Sequence, residues 1–295
     1  MPGAVGLRLA SGLVADTCGV GLAGSALGAA SGTAAGFAAK YGEPVQRNIE
    51  SYLFFDRDNS SSVASCLERA RENGRIVRTA LTSQVWDALN TAFQELRQLE
   101  RTPRSELELS RLTEWTMRHA AMVRGAIDAT KLRDDGYHFL GLGYHIERGD
   151  STARLMDVKY YVLLPRADYV GTGLDSYQWT TLLRAMSANR AFHWAYGGEI
   201  TAAKVADFLI LNRRCPRSLF TSIEGAHNNL LALQQEYGKS TPAQMRASSM
   251  IHDFNQLTVE QVFDEGMHEF LTRFIRENSG LASLVSEAYL SGEAR

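Results

Sequence analysis

Apolar residues recur three and four positions apart along most of the chain, which is the spacing of one face of an α-helix. Residues that can cap or interrupt helices, such as the run Ser60 to Ser62 and Pro103, divide this pattern into segments. The pattern predicts helices that begin near residues 44, 60–62, 83, 109, 138, 175, 201, 217 and 266. The longest is expected from His138 to Leu164, where Pro165 stops it. The pattern therefore favours an all-α protein.

Composition agrees with a globular helical protein. Of the 295 residues, 45% are hydrophobic and 22% are charged, and the mean hydropathy is -0.20. A formal net charge of -2 gives no excess of positive charge for binding nucleic acid or an acidic membrane surface. Cys18, Cys66 and Cys215 are too few and too scattered for a disulfide framework, and they form no CxxC pair. We therefore expect a cytoplasmic protein with no metal and no cofactor.

Residues 1–39 differ from the rest of the chain. They hold nine of its 25 glycines, and Arg8 and Asp16 are their only charged residues. Asp16 and the glycines interrupt the apolar run that a secretory signal or a bilayer span needs. We predict an atypical Gly/Ala-rich lead-in over residues 1–39, followed by a helical domain over residues 40–295, with no membrane segment.

A segment of about 35 residues occurs twice. The sequence FAAKYG at 37–42 matches FHWAYG at 192–197, and after one extra residue YLFFDR at 52–57 matches FLILNR at 208–213. The match continues with Ser62 against Ser218 and Glu68 against Glu224. Such self-similarity indicates that a helical unit was duplicated. We therefore predict a helical bundle built from two pseudo-repeated units around a pseudo-twofold axis.

Two adjacent stripes run along the helix predicted from His138. The apolar stripe has the steps of three and four that a buried packing seam requires, and comprises Phe139, Leu142, Ile146, Gly149, Ala153, Met156, Tyr160 and Leu163. The polar stripe lies one residue on, about 100° around the helix, and comprises Gly143, Glu147, Asp150, Arg154, Asp157 and Tyr161. Charged groups beside a buried seam are expected to be half-buried, where paired charges interact more strongly. Gly149 is expected to let a neighbouring helix approach closely.

The polar stripe supplies the candidate site. Glu147 and Asp150 form a carboxylate pair and are the candidate catalytic residues. The candidate substrate-binding residues are Arg133, Arg148, Arg154 and His138. Arg133 and Arg154 would hold the carboxylates ionised or bind an anionic substrate group. The same spacing also fits a solvated helix face whose ion pairs are each worth only about 0.2–0.5 kcal/mol.

These residues resemble a known family. The segment at 132–164, LRDDGYHFLGLGYHIERGDSTARLMDVKYYVLL, is similar to the signature segment of the bacterial alpha-E proteins, a helical family of unknown function. DRDNSSSV at 56–63, ILNRRCPRS at 210–218 and GMHEFLTRFI at 266–275 fit the family's pattern, and the resemblance extends from about Ala26 onward. It implies a helical fold. It also implies two partners, an ATP-grasp ligase-like protein and a transglutaminase-like protein, and hence a part in making or processing amide bonds.

The chain departs from the family's pattern in three places. Members open with an aromatic, basic helix that carries a first Glu-Arg-Ala-Glu type motif, and residues 1–39 contain no such motif. If this motif and its counterpart at 147–150 meet across the pseudo-twofold axis, this chain holds half of the site. Gly149 replaces the usual Ala, and Ser60 stands where the pattern has Pro.

Two functions are compatible with the resemblance. As an enzyme, the protein would use Glu147 as a general base or as an ammonium-binding carboxylate, with Asp150, Arg133 and Arg154 orienting it or the substrate. As a noncatalytic scaffold, it would dock an ATP-grasp ligase and use the polar stripe only to orient helices. A concave pocket at Glu147 would favour the enzyme, and a closed, fully paired seam would favour the scaffold.

Other candidate motifs are incomplete. Glu265 and His268 have the Glu-x-x-His spacing of di-iron bundles, but no second copy is evident, so we expect a surface or capping role. His138 and His145 lack a third metal ligand, and the acidic turn at Asp56 lacks the Gly and the terminal Glu of a calcium loop. The four tryptophans lie in apolar helical patterns and are expected in the core, namely Trp86, Trp115, Trp179 and Trp194.

Overall fold

The computed structural model describes residues 34–161 and 173–290, and these residues form an all-α fold without β-strands. The α-helices are α1 (Ala34–Tyr41), α2 (Gln46–Glu50), α3 (Val63–Ile76), α4 (Ser83–Arg101), α5 (Leu109–Thr130), α6 (Asp135–Tyr161), α7 (Gly173–Ala185), α8 (Asn189–Tyr196), α9 (Ala202–Ala206), α10 (Leu219–Tyr237), α11 (Pro242–Gln256), α12 (Val259–Glu265) and α13 (Met267–Leu290). Single π-helical turns follow α2 directly at Ser51–Phe55 and α9 directly at Asp207–Leu211. Short 3-10 turns lie at Arg78–Ala80 and Arg104–Glu106. The predicted fold class is confirmed.

Most of the predicted helices are present near their expected positions, but four helices were missed, namely α1, α8, α11 and α12. The long central helix α6 starts at Asp135, three residues before the predicted start. Its predicted stop at Pro165 falls outside the described residues, as do residues 1–33 of the proposed lead-in. Helix α1 crosses the proposed boundary at residues 39 and 40, and that division of the chain stays a prediction.

Side-chain caps define where several helices begin. The hydroxyl oxygens of six residues, each at the N-cap position, accept a hydrogen bond from the backbone N–H three residues on, namely those of Ser62, Thr82, Thr201, Ser218, Thr241 and Thr258. Each cap satisfies a backbone donor that has no partner inside its helix. Of the candidate caps in the run Ser60 to Ser62, Ser62 is the one that forms the cap.

Two apolar cores hold the helices together. The first joins α3, α4 and α5 and includes Leu67, Leu96 and Trp115. The second is larger, joins α6 to the helices that follow it, and includes Trp179 and Phe270. Helix α6 has a central place in the second core because it packs along both α10 and α13. No helix within residues 34–161 and 173–290 combines the length and the apolar character needed to cross a bilayer.

The two similar segments adopt the same local structure. In each, a short α-helix continues into a π-helical turn, an extended residue follows (Asp56 or Asn212), and a capping serine starts the next helix (Ser62 or Ser218). Each also contains a trio of packed rings: Phe37, Tyr41 and Tyr52 in the first, and Phe192, Tyr196 and Phe208 in the second. The arrangement of two whole units around a pseudo-twofold axis stays a prediction.

One core assignment was wrong. Trp115 and Trp179 are buried, and Trp86 is half-buried, but the side chain of Trp194 is 78% exposed. Helix α8 has only eight residues and uses the face of Phe192 and Tyr196, four residues apart, for packing. Trp194 lies between these two positions and therefore points away from the core.

Candidate functional site

Helix α6 carries the candidate site, and its start is well defined. Asp134 precedes the helix, and its Oδ1 accepts a hydrogen bond from the backbone N–H of Tyr137 at 2.9 Å. The Nζ of Lys131, which is buried, lies 2.9 Å from the same carboxylate oxygen. Asp134 is therefore the residue that caps the start of α6.

The apolar stripe of α6 is the buried seam that its spacing predicts. Leu142, Gly149, Ala153 and Met156 are buried, and Phe139 and Ile146 pack against the same core. A Cβ atom added at Gly149 would lie 3.3 Å from both Phe274 Cζ on α13 and Ser222 Cβ on α10. Gly149 therefore lets both neighbouring helices approach α6 closely. Nothing is described of the side chains of Tyr160 and Leu163.

The polar stripe is half-buried, as predicted. Asp150 and Arg154 form an ion pair with an Oδ2–Nε distance of 2.7 Å, and their side chains are 29% and 32% exposed. Asp157 lies 2.5 Å from Nδ1 of His268 on α13. Glu147 is half-buried on the same stripe. The charged side chains at 147, 150 and 154 are thus sheltered rather than free in bulk water.

Two of the predicted substrate-binding residues, Arg133 and His138, lie near the N-terminal end of α6, away from Glu147. Arg133 precedes the helix and is exposed, and its guanidinium lies 5.8 Å from the ring centre of Tyr137. Nδ1 of His138 lies 3.0 Å from Oδ1 of Asn229 on α10. Because a helix rises about 1.5 Å per residue, Glu147 is roughly 18 Å beyond the start of α6. The structure therefore does not bring Arg133 or His138 to Glu147.

Arg148 belongs to a second polar face of α6, which also includes Tyr144 and Thr152. Nη1 of Arg148 donates a hydrogen bond to the carbonyl oxygen of Pro216 at 3.0 Å. The hydroxyl of Thr152, one turn further on, donates to the carbonyl oxygen of Arg217 at 3.0 Å. Glu147 and Arg148 therefore have different surroundings. Glu147 lies on the polar stripe, whereas Arg148 contacts the loop before α10.

Two guanidinium groups lie close to the ring of Tyr144. The guanidinium of Arg148 lies 4.4 Å from its centre, and that of Arg124 on α5 lies 3.5 Å from it. Burial lowers the pKa of Arg148 to about 10, with the nearby charges of Arg217 and Arg124 acting in the same direction and Tyr144 opposing them. Burial also lowers the pKa of the Arg217 side chain, although Tyr144 and Cys215 act to raise it.

His145 is neutral at pH 7 in this environment. Burial, followed by the positive charges of Arg124 and Arg148, lowers its pKa to about 4. Its imidazole lies against Gly225 of α10, where an added Cβ would be only 2.2 Å from the His145 Cε1 atom. Its Nδ1 is buried without a hydrogen-bond partner. His145 therefore packs between α6 and α10.

Sequence reasoning missed Arg124, Arg217 and His268 as neighbours of this helix. Arg217 had a usable signal, because it lies in the second copy of the repeated segment, where the first copy has Ser61. His268 was noticed only as half of a metal motif. In the structure Glu265 pairs with Arg273 through two contacts of 2.7 Å, and the described residues contain no cluster of three metal-ligating side chains.

Two further features lie away from the polar stripe. Arg57, next to Asp56 in the acidic turn, forms ion pairs with Glu68 and Glu100. A cleft of about 580 Å³ lies outside the polar stripe, and it is lined by Gln46, Arg47, Glu50, Pro103, Arg104 and Ser105.

Comparison with known proteins identifies the class of this helical protein. The model of the Alpha-E family, described as a predicted alpha-helical domain with a conserved ER motif, matches residues 9–290. The chain therefore belongs to the Alpha-E family. No curated protein and no solved structure shows significant similarity to it.

Proposed function

We propose that this protein is a component of a cytoplasmic system that forms peptide or amide bonds, and that it acts together with an ATP-grasp ligase-like protein and a transglutaminase-like protein. In this proposal Glu147 removes a proton from a substrate amine or binds its ammonium form. Asp150 and Arg154 hold the carboxylate in position, and Arg148 contacts the substrate. An amine becomes nucleophilic only after it loses a proton, and a positioned carboxylate is a suitable acceptor.

The observation that carries the proposal is the half-buried Glu-Arg pair in the middle of α6. The chain contains three Glu-Arg pairs, at 68–69, 100–101 and 147–148. At 68–69 both side chains are exposed, and at 100–101 the Arg is exposed. Only at 147–148 are both residues half-buried. Sheltered charges interact more strongly than solvated ones, which favours this pair as the working part of the family's ER motif.

A second function is supported by a different observation. Asp150 already pairs with Arg154, and Asp157 with His268 on α13, so part of the polar stripe is satisfied inside the protein. A noncatalytic scaffold that docks the ATP-grasp ligase would use the stripe in this way, to fix the helices.

Replacing Glu147 with Gln separates the two functions. The amide keeps the shape of the side chain but accepts no proton, so the enzyme proposal predicts a loss of product of about 100-fold or more in a reaction reconstituted with both partner proteins. The matched control is Glu224→Gln on α10, which removes a half-buried glutamate outside the stripe and is expected to leave the rate unchanged. Unchanged product formation by the Glu147 variant, with intact binding of the ligase, would favour the scaffold and end the catalytic role.

A further inference from the structure

The loop Cys215–Ser218 is fastened to α6 and to the start of α10. The carbonyl oxygens of Pro216 and Arg217 accept hydrogen bonds from Arg148 and Thr152, both at 3.0 Å. The carbonyl oxygen of Cys215 accepts a hydrogen bond of 2.8 Å from the hydroxyl of Thr221. The loop backbone is therefore held in place, and the side chain of Arg217 is kept half-buried near Arg148.

The charge of this region is not balanced. Across residues 34–161 and 173–290, no carboxylate lies within 4.0 Å of the guanidinium of Arg148 or of Arg217, whereas several other arginines of the chain have such a partner, among them Arg57, Arg154, Arg246 and Arg273. Arg124 has Asp128 at 3.4 Å. The nearby thiol of Cys215 supplies no negative charge at pH 7, because burial raises its pKa. Half-buried cations without a carboxylate partner are costly, and a bound anion would offset that cost.

We infer that Arg148 and Arg217, with Arg124 beside them, form a binding site for an anionic group of a ligand, a carboxylate or a phosphate. A guanidinium presents a planar fork of N–H donors that matches both groups. The ring of Tyr144 holds Arg148 and Arg124 by cation–π contact, so these side chains need little ordering when the anion arrives. The identification of this ligand as the substrate rests on the proposed function. The anion site itself rests on the positions of Arg148, Arg217 and Arg124.

The test measures binding directly, without turnover. The full-length protein is titrated by calorimetry at low ionic strength with two probes, inorganic phosphate and N-acetylglutamate, because salt screens the interaction. Saturable binding of either probe is expected, and the probe that binds more tightly identifies the class of anion. Arg217→Gln and Arg148→Gln are each expected to weaken binding by about tenfold or more, the effect of losing a charged hydrogen-bond donor.

The control is Arg214→Gln, because Arg214 lies in the same part of the chain and carries the same charge but is exposed. It is expected to change binding less than about twofold, as for a screened surface charge. If neither probe binds saturably, or if Arg214→Gln weakens binding as much as Arg217→Gln, the site does not exist. Far-UV circular dichroism checks folding, and Arg217→Gln decides the matter if Arg148→Gln does not fold.

Failure of this site and failure of the proposed function give different results. Glu147→Gln is expected to bind the probe as the unmodified protein does, because Glu147 lies on the other polar face of α6. Loss of product in the Glu147 variant together with absent probe binding would overturn the anion site only. Intact probe binding together with unchanged product would overturn the catalytic role only.

Discussion

The two copies of the repeated turn, at 56–62 and at 212–218, have the same backbone and opposite charge. In both, the first residue of the turn accepts a hydrogen bond from the N–H two residues on, at 3.0 Å for Asp56 and 2.8 Å for Asn212. In both, a serine caps the next helix with a bond of 3.1 Å from the N–H three residues on. The first copy carries acidic residues and the second carries arginines.

The charges of the first turn are neutralised within the turn region. Lys40 lies 2.8 Å from Asp56 and 2.6 Å from Asp58. In the second turn, Asn212 instead donates a neutral hydrogen bond of 3.0 Å to the hydroxyl of Tyr196. Arg217 has no carboxylate partner among the described residues. The comparison teaches that one backbone design can carry different charge: the first turn is neutralised by Lys40, whereas the second carries Arg217 without a carboxylate partner among the described residues.

The helices that follow the turns differ in the same sense. Glu68 and Arg69 on α3 are exposed, whereas the residues at the equivalent positions on α10, Glu224 and Gly225, are half-buried. The difference arises because α6 packs along α10. The second copy therefore continues into a helix that packs along α6.

The largest expected effect is at Gly225. Gly225→Ala places a methyl group 2.2 Å from the His145 imidazole, so the free energy of unfolding should fall by about 3 kcal/mol. The control Arg69→Ala, at the equivalent exposed position, should change it by less than about 0.5 kcal/mol. Denaturant titration measures both. The double variant Gly225→Ala with His145→Ala should recover part of the loss, and equal effects at Gly225 and Arg69 would contradict the asymmetry.

The next largest effect is a pH dependence of the free energy of unfolding that is caused by the titration of His145. Its folded pKa of about 4 lies below the value of 6.5 for an unperturbed histidine. The unfolded chain therefore binds more protons in that window, and stability falls as the pH drops through it. Between pH 7 and pH 4.5 the free energy of unfolding should fall about 2 kcal/mol further in the unmodified protein than in His145→Gln. Parallel pH profiles of the two proteins would refute the buried neutral imidazole.

Substitution of the two capping serines tests whether the two turns contribute equally to stability. Ser62→Ala and Ser218→Ala each remove one cap, and each should lower the free energy of unfolding by about 1.5 kcal/mol. Ser60→Ala, an exposed neighbour in the first turn, is the control and should have almost no effect. A difference of more than about 1 kcal/mol between the two cap variants would show that the turns are not equivalent.

The smallest effect concerns the charge of the first turn. Burial acts to raise the pKa of Asp56, but the hydrogen bonds from Lys40, from the Asp58 backbone and from Tyr41 hold it below its usual value. Asp56→Asn gives the turn the residue of the second copy and should cost about 1 kcal/mol at pH 7. Because the folded pKa is the lower one, this difference should disappear as the pH falls through it. Asp58→Asn, whose side chain is 85% exposed, is the control with an effect near zero.

The site could be predicted from sequence only in part. The period of the polar stripe on α6 identified its half-buried charges, because neighbours three and four residues apart on a helix are set by local geometry. The contact of Asp157 with His268 joins residues far apart in the chain, and it depends on how α13 packs against α6. Arg217 was not predicted as a neighbour of α6, because a loop residue is not part of a periodic helical pattern. Helix α11 was missed although Thr241 and Pro242 are a recognisable start signal.

The order of the residues determines four features of this protein: its helical character, the helix caps, the apolar stripe of α6 and the repeated turn. Each of these follows from residues that lie within a few positions of one another. Which copy of the turn meets α6 is a matter of packing. The buried imidazole of His145 and the unneutralised pair Arg148 and Arg217 arise only when α5, α6 and the loop before α10 come together. These contacts join residues that are far apart in the chain, so no local pattern contains them.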